Sequence, residues 1–378
     1  MSIVLALAGV AAALAIWSYA VYPPLIRALA ARRAPRNVAT PVPPPAIEVL
    51  VSAADEEHVI GARMTNLKSQ RYDGTISVAL GCDGCRDRTA EAAAAAHPGD
   101  GLRVLSFPQR RGKAAVLNDL ASSSRADLLV FTDANTRFAE DAVARLAARF
   151  GDPETGAVCG RLRLEDREGR TGAELEFWER ESGVKQAEGR LGVCLGANGA
   201  IYAIRRELFE PLPPDTTSMD DFLIPARIAR RGHRVVFAPD ALAWEETARD
   251  ARAEAARRFR IGIGAGQILR REPWLWSPRR PMLALAYASR KAARWLAPLA
   301  ALAAAVAALF VPAARPAGLI ALGVAALVLA LARLAPRRAG APGRLYYFAL
   351  MNLSLSAGIV AGLFGASRPV WRPTARPR

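Results

Sequence analysis

Lysine, histidine and cysteine are all scarce in this chain of 378 residues. Only four of its 51 basic residues are lysines (Lys68, Lys113, Lys185 and Lys291), and it has three histidines and four cysteines. So small a supply of thiols and imidazoles argues against a disulfide scaffold or a zinc module. Cys82-Asp83-Gly84-Cys85 has the spacing of half a zinc site, but no second pair follows, and Cys159 and Cys194 stand alone. Charge is missing from whole segments as well. Residues 1–26, 295–314, 316–332 and 345–367 hold no Asp, Glu, Lys or Arg, and each is near the roughly 20 residues that cross a hydrocarbon core.

We read 1–26 as an N-terminal transmembrane anchor. No Lys or Arg precedes the apolar run, so the positive start of a cleaved signal peptide is absent. Arg27, Arg32, Arg33 and Arg36 follow it, which by the positive-inside rule leaves the amino terminus outside and the next domain in the cytoplasm. The expected location is the cell inner membrane, multi-pass, with reduced thiols on the cytoplasmic side. Two or three further spans fit a C-terminal region over 296–367. The formal charge of +16 sits largely beside these segments, as at Arg279, Arg280, Arg333, Arg337, Arg338 and Arg344. Anionic lipid headgroups explain that placement better than nucleic acid, which is not an expected partner.

Between these regions the composition divides the chain further. Residues 27–46 form a basic, Pro-rich linker (Pro35, Pro41, Pro43, Pro44, Pro45), expected to be extended and to hold the next domain off the membrane. A cytoplasmic domain is expected over 47–276 and an interfacial amphipathic helix over 277–295, where Arg290, Lys291, Arg294 and Trp295 mix with apolar positions. A basic tail, 368–378, closes the chain. If every C-terminal segment spans, that tail ends outside against the positive-inside rule, so one segment is expected to lie in the interface.

Within 47–276, strands and helices alternate. Strands are expected at Ile47–Ser52, Ile76–Gly81, Arg103–Phe107 and Leu128–Asp133, with helices around Val59–Gln70, after Asp87, from Ala114 and at Glu140–Phe150. Later apolar runs, Ala157–Leu164, Gly199–Ile204 and Val235–Ala238, read as more strands. Alternation of this kind implies an α/β fold with a parallel, doubly wound sheet, which binds ligands at the carboxyl edge of its strands.

That edge is where the carboxylates fall. The run Leu128-Leu129-Val130-Phe131-Thr132 delivers Asp133 and, two residues on, Asn135; together they can hold a divalent metal against a diphosphate. A single Asp after a strand also serves as a turn or helix cap. Asp83 ends the second strand, where it can accept hydrogen bonds from a base or ribose, although Asp-Gly also makes an ordinary turn. Lys113 opens a helix after Gly112, so its ammonium and the helix amino terminus can both meet a phosphate. Asp220 and Asp221 start another helix, as caps do, or as a general base tuned by its neighbour does. Arg257, Arg258 and Arg260 follow as a cationic cluster that suits either a lipid surface or a diphosphate leaving group. Gly262-x-Gly264-x-Gly266 is no dinucleotide fingerprint, because Gln267 stands where the third glycine belongs.

In this order the segments resemble the membrane-anchored inverting glycosyltransferases of family 2, the group that includes cellulose, chitin and hyaluronan synthases. The most specific stretches are Gly196-Ala197-Asn198-Gly199-Ala200-Ile201-Tyr202-Ala203-Ile204-Arg205-Arg206 and Asp220-Asp221. The resemblance implies a nucleotide-diphospho-sugar transferase fold, GT-A-like and Rossmann-like, flanked by transmembrane helices. It also implies a nucleotide-diphospho-sugar donor, a lipid-linked or saccharide acceptor, and Mg²⁺ or Mn²⁺. Ala54 and Glu56 then line the nucleotide and Asp83 reads the base. Lys113, Arg257 and Arg260 contact the diphosphate, and Gly196, Ala197, Asn198 and Gly199 lie on the acceptor side. Asp221, beside Asp220, is the expected base. Asp133 and Asn135 match the family's Asp-x-Asp, with an amide in place of the second carboxylate. Processive members carry Gln-x-x-Arg-Trp where this chain has Arg257-Arg258-Phe259-Arg260-Ile261, so the aromatic face for a growing polymer is absent. Single or short-chain transfer is the first expectation. A processive synthase that secretes its product and a scaffold without catalysis are the alternatives.

Overall fold

The long apolar run at 128–133 lies inside the sheet it was expected to build, and the strand order around it positions everything else. The structure is a computed structural model that describes residues 1–34, 36, 38–165, 172–246, 251–334 and 341–368. Its chain falls into two compact units, Ile26–Thr247 with Arg368–Arg378, and Met1–Leu25 with Ala248–Ser367.

The first unit is built on β1 (Ile47–Ala53), β2 (Ile76–Asp83), β3 (Leu102–Phe107), β4 (Leu128–Asp133), β5 (Arg137–Phe138), β6 (Thr155–Glu165), β7 (Tyr202–Arg205) and β8 (Arg234–Glu246). Among the described residues they form one eight-stranded sheet in the order β3-β2-β1-β4-β7-β6-β8-β5. Every residue of β1 is buried, including Glu48, which pairs with Arg103 at 3.0 Å, as is β4 up to Asp133, as strands covered on both faces require. Helices Glu57–Lys68 and Ala142–Ala148 cover one face with Ile60, Met64, Leu67, Val143 and Leu146. Helix Lys113–Ser122 covers the other so closely that a Cβ on Gly81 would lie 2.2 Å from Val116 Cγ1.

The sheet is mixed, which corrects the expectation of an all-parallel one. β3, β2, β1 and β4 run parallel, but β7 pairs antiparallel with both β4 and β6. The strand expected at Gly199–Ile204 begins only at Tyr202. Gly196, at φ 73°, and the Asn198-Gly199 pair turn the chain first, since glycine adopts the left-handed region without strain. Asp133 therefore ends a strand whose neighbours run in opposite senses, the kind of junction where open sheets hold ligands.

The Pro-rich linker does not stand away from this domain. Arg36 Nη1 donates to Asp152 Oδ2 at 2.9 Å, Tyr72 Oη donates to the Pro45 carbonyl at 2.6 Å, and a Cβ on Gly151 would collide with the Ala39 carbonyl oxygen at 1.7 Å. The last linker residues are thus packed onto the domain surface.

In the second unit, helix Ser2–Ile16 lies with helix Ala293–Ala308, and Trp17 Nε1 donates to Ser289 Oγ at 2.9 Å. Ser2–Ala31 (30 residues, mean hydropathy 2.1) and Pro281–Ala308 (28 residues, 1.3) are long and apolar enough to cross a membrane; Arg315–Val324 and Phe348–Leu363 are shorter apolar helices. The segment expected to lie in the interface over 277–295 continues into Ala293–Ala308 through a π-helical turn at Tyr287–Ala292. Helix Ala251–Arg271, expected as the end of the cytoplasmic domain, belongs to this unit. It meets helix Ala341–Leu363 backbone to backbone: a Cβ on Gly262 would lie 2.3 Å from the Leu355 oxygen, and one on Gly358 would lie 2.2 Å from the Phe259 oxygen. The glycine run that is no nucleotide fingerprint is a packing surface, as small residues spaced by four allow. Of the basic tail, 369–378 lies outside the described residues.

Gly358→Leu is expected to lower the unfolding free energy in detergent by about 1–3 kcal/mol, the usual penalty for forcing side-chain volume into a closed contact. Gly9→Ala, where nothing lies within 4 Å, is the control. Equal thermal midpoints for the two variants would contradict the packing.

Candidate active site

Three segments distant in sequence meet at the carboxyl edge of β4. The strand ends in Asp133, whose Oδ1 accepts a hydrogen bond from Lys113 Nζ at 2.8 Å. The same ammonium lies 3.3 Å from Asp220 Oδ2. Lys113 is the first residue of helix Lys113–Ser122, after Gly112 at φ 94°. Burial alone would lower the Lys113 pKa, but the charges of Asp133 and Asp220 and the hydrogen bond to Asp133 outweigh it, so the group is held charged, well above its ordinary value.

Asp220 and Asp221 open helix Asp220–Arg230 behind Met219, which is forced to φ 75°. A non-glycine residue there stores about 1–3 kcal/mol of strain, a feature that clusters at functional sites. Asp220 is buried, whereas Asp221 is only half-buried. The Asp221 carbonyl accepts from Ala197 N–H at 2.9 Å, which ties this helix start to the Gly196–Gly199 loop. A Cβ added to Gly199 would lie 3.8 Å from both Asp133 Oδ2 and Asp221 Oδ2, so both carboxylates approach the space that this glycine leaves open.

The Gly196–Gly199 loop is held from beneath. Asn198 Oδ1 accepts from Lys185 Nζ, and Asn198 Nδ2 donates to the Gly160 carbonyl at 2.8 Å. Leu195 N–H donates to Glu188 Oε2 at 3.2 Å. Lys185 and Glu188, both buried, come from helix Gly172–Arg190. The Asn198 side chain is thus committed to the protein, and what the loop offers toward Asp133 and Asp221 is Gly199. From the sheet side, Thr132 Oγ1 donates to the Ala200 carbonyl at 2.7 Å and accepts from Arg63 Nη2 at 2.8 Å. Burial brings the Arg63 pKa down to about 9, against the pull of Asp133 and Glu245.

The loops after β1, β2 and β3 are cross-braced by two aspartates. Asp83 is fully buried; its Oδ1 accepts from Arg111 N–H at 2.7 Å and its Oδ2 from Gly112 N–H at 2.9 Å. It therefore orders the turn that presents Lys113. Asp55, at φ 56°, accepts from Arg86 N–H at 2.7 Å and pairs with Arg110. Ala54 is fully buried beside it, and Glu56 N–H donates to Thr89 Oγ1 at 2.9 Å. Asn135 is half-buried, and its side chain has no hydrogen bond among the described residues.

Lys113, Asp133, Asp220, Asp221 and Gly199 are therefore brought together, with Asp83 one step behind. Arg257 and Arg260 stand on helix Ala251–Arg271 of the other unit, where Arg257 Nε pairs with Glu254 Oε2 at 2.8 Å and burial, then the Arg257 charge, lowers the Arg260 pKa. Sequence reasoning missed Lys185, Glu188, Thr132, Arg63 and the Asp55–Arg110 pair. Lys185 carried a signal: in a chain with four lysines, two of them serve this region. A hard-oxygen set of one carboxylate and one amide, Asp133 and Asn135, fits Mg²⁺ or Mn²⁺ in ligand type and supplies one negative charge in place of two.

A family profile described as "Glycosyltransferase like family 2" matches residues 43–264. An N-acetylglucosaminyltransferase of Rhizobium meliloti (strain 1021) is 27% identical over 230 residues, 55% of this chain and 53% of that protein. A poly-beta-1,6-N-acetyl-D-glucosamine synthase of Staphylococcus aureus (strain COL) is 22% identical over 231 residues, 60% of this chain and 56% of that protein. The chain thus spans about half the length of these relatives. Among solved structures, the mannosyltransferase PcManGT from Pyrobaculum calidifontis, in complex with GDP-Man and Mn²⁺, matches with a TM-score of 0.67 at 25% identity, covering 95% of this chain and 99% of that one. The mixed sheet is that of a GT-A-like glycosyltransferase fold.

Asp83→Ala would leave the Arg111 and Gly112 N–H groups without their charged acceptor, and is expected to lower stability by about 3 kcal/mol, from hydrogen bonds to a buried charge. Denaturant unfolding measures this, and native stability in the variant would contradict the bracing role.

Proposed function

The chain belongs to glycosyltransferase family 2, and from that premise we propose that it is a membrane-bound, inverting glycosyltransferase. It moves a sugar from a nucleotide-diphospho-sugar to the hydroxyl of a saccharide or lipid-linked acceptor. The observation that carries this reading is the convergence of Asp133 and Asp221, whose Oδ2 atoms both lie 3.8 Å from where a Gly199 Cβ would stand, with Lys113 between Asp133 and Asp220.

The acceptor hydroxyl gives its proton to Asp221 and forms the new bond to the anomeric carbon. The bond from that carbon to the phosphate oxygen breaks on the opposite face, and its electron pair leaves with the nucleoside diphosphate. Asp221 is the better base of the pair because Asp220 is buried against the Lys113 ammonium. Lys113 and the amino terminus of its helix receive the diphosphate. Gly199 keeps the space beside the two carboxylates free of side-chain atoms. Ala54 and Glu56 frame the nucleotide and Gly196 to Gly199 the acceptor, while Asp83, expected to read the base, is buried with both oxygens on the Arg111 and Gly112 N–H groups and acts through the turn it orders before Lys113. Arg257 and Arg260 are retained as diphosphate contacts on the sequence resemblance alone. A divalent ion held by Asp133 and Asn135 would add positive charge beside the departing phosphates.

The relatives named for N-acetylglucosamine transfer and the mannosyltransferase bound to GDP-Man favour a hexose or N-acetylhexosamine donor. Ser2–Ala31 and Pro281–Ala308 support membrane attachment, with the catalytic domain on the cytoplasmic side of the inner membrane. Ile261, in place of an aromatic side chain, favours single or short-chain transfer over processive synthesis.

Asp221→Asn is expected to lower the transfer rate by about 10²–10⁴, the usual worth of a positioned base, with nucleotide affinity little changed. Transfer of radiolabelled sugar by purified protein measures it. A native rate in the variant would sink the proposal.

A further inference from the structure

We propose that Lys113 and the divalent ion compete for Asp133, so that metal and nucleoside diphosphate bind with a positive coupling that Lys113 itself creates. The inference rests on the sugar-nucleotide reading of the site and specifies how that site is loaded. Asp133 and Asp220 share one cation, since Lys113 Nζ lies 2.8 Å from Asp133 Oδ1 and 3.3 Å from Asp220 Oδ2. An Mg²⁺ or Mn²⁺ ion on Asp133 must either take the oxygen that the ammonium now uses or sit beside a like charge. Asn135 supplies no second carboxylate to offset that repulsion.

A diphosphate reverses the balance. It gives Lys113 an anionic partner at the amino terminus of the lysine's own helix, Lys113–Ser122. Once the ammonium has turned to the phosphates, Asp133 is released to the ion. By linkage the effect is reciprocal: the diphosphate tightens metal binding by the same factor as metal tightens diphosphate binding.

Residue choice supports the exchange. Arginine holds nearly every basic position in this chain, yet lysine stands here, one of four among 51. A lysine is a compact charge on a flexible stem that can be handed from one acceptor to another, whereas an arginine fork would lock onto the carboxylate. The side chain is one quarter exposed, so it is not sealed in the core.

The test is Mn²⁺ binding to the full chain in detergent, read from the electron paramagnetic resonance of free Mn²⁺, with and without UDP or GDP. For Lys113→Met, Mn²⁺ alone is expected to bind about tenfold tighter than to the native chain, and the factor by which the diphosphate tightens Mn²⁺ is expected to fall about tenfold, within the usual range of coupling energies. Lys113→Gln serves if the methionine variant does not fold, and Lys113→Arg should keep Mn²⁺ alone weak. Unchanged or weaker Mn²⁺ binding in both neutral variants, or an unchanged coupling factor, overturns the inference while the sugar-nucleotide reading stands. A native chain that binds neither Mn²⁺ nor either nucleotide overturns both.

Discussion

One ammonium between two carboxylates is the contact on which the rest of this site depends. Lys113 joins the end of β4, through Asp133, to the start of helix Asp220–Arg230, through Asp220. Bringing two aspartates together, with Asp221 beside them, is unfavourable unless a cation is present. The fold prepares for that cation at several removes. Asp83 is spent on the turn before Lys113, and Met219 accepts a strained backbone so that both Asp220 and Asp221 can enter the helix start. Lys185 and Glu188 fasten the loop that brings Gly199 beside the carboxylates. Each of these groups is buried or strained for the sake of a neighbour. That is the pattern of a preorganised site, in which supporting groups fix the reacting ones.

Within the Ile26–Thr247 unit the sheet supplies the geometry. Parallel strands β1, β2 and β4 send their carboxyl ends to one edge, and the reversal at β7 leaves the Gly196–Ile201 loop to cross that edge beside Asp133. The Met1–Leu25 and Ala248–Ser367 unit is governed by another constraint, the close approach of helices through Gly262, Gly266, Gly358 and Gly362. Such contacts let backbones meet without relying on apolar burial, which a lipid surround would not reward.

Much of this was legible in the sequence, and the reasons are physical. A strand buried on both faces reads as a largely apolar run, so β4, and β1 and β2 despite Glu48, Ser52 and Ser77, stood out together with the terminal Asp83 and Asp133. The Asp220-Asp221 pair announced a helix start because carboxylates favour that end of the dipole. Strand direction was not legible: an apolar run has the same pattern either way round, and β7 is reversed. The Pro-rich linker read as a free spacer because its partners, Gly151 and Asp152, lie far along the chain. The glycine run at 262–266 could be rejected as a nucleotide loop, yet its purpose needed Gly358 and Gly362 opposite it. Asp83 was placed correctly at a strand end, but its burial against two backbone N–H groups depends on a turn that only the fold brings near.

The central claim is that acceptor and leaving diphosphate occupy opposite faces of the transferred sugar, with Asp221 on the acceptor side. The most direct measurement is the anomeric configuration of the product, by proton NMR, after transfer from an α-linked nucleotide sugar by the purified chain. A β-linked product is expected; an α-linked product would contradict direct displacement and the role given to Asp221.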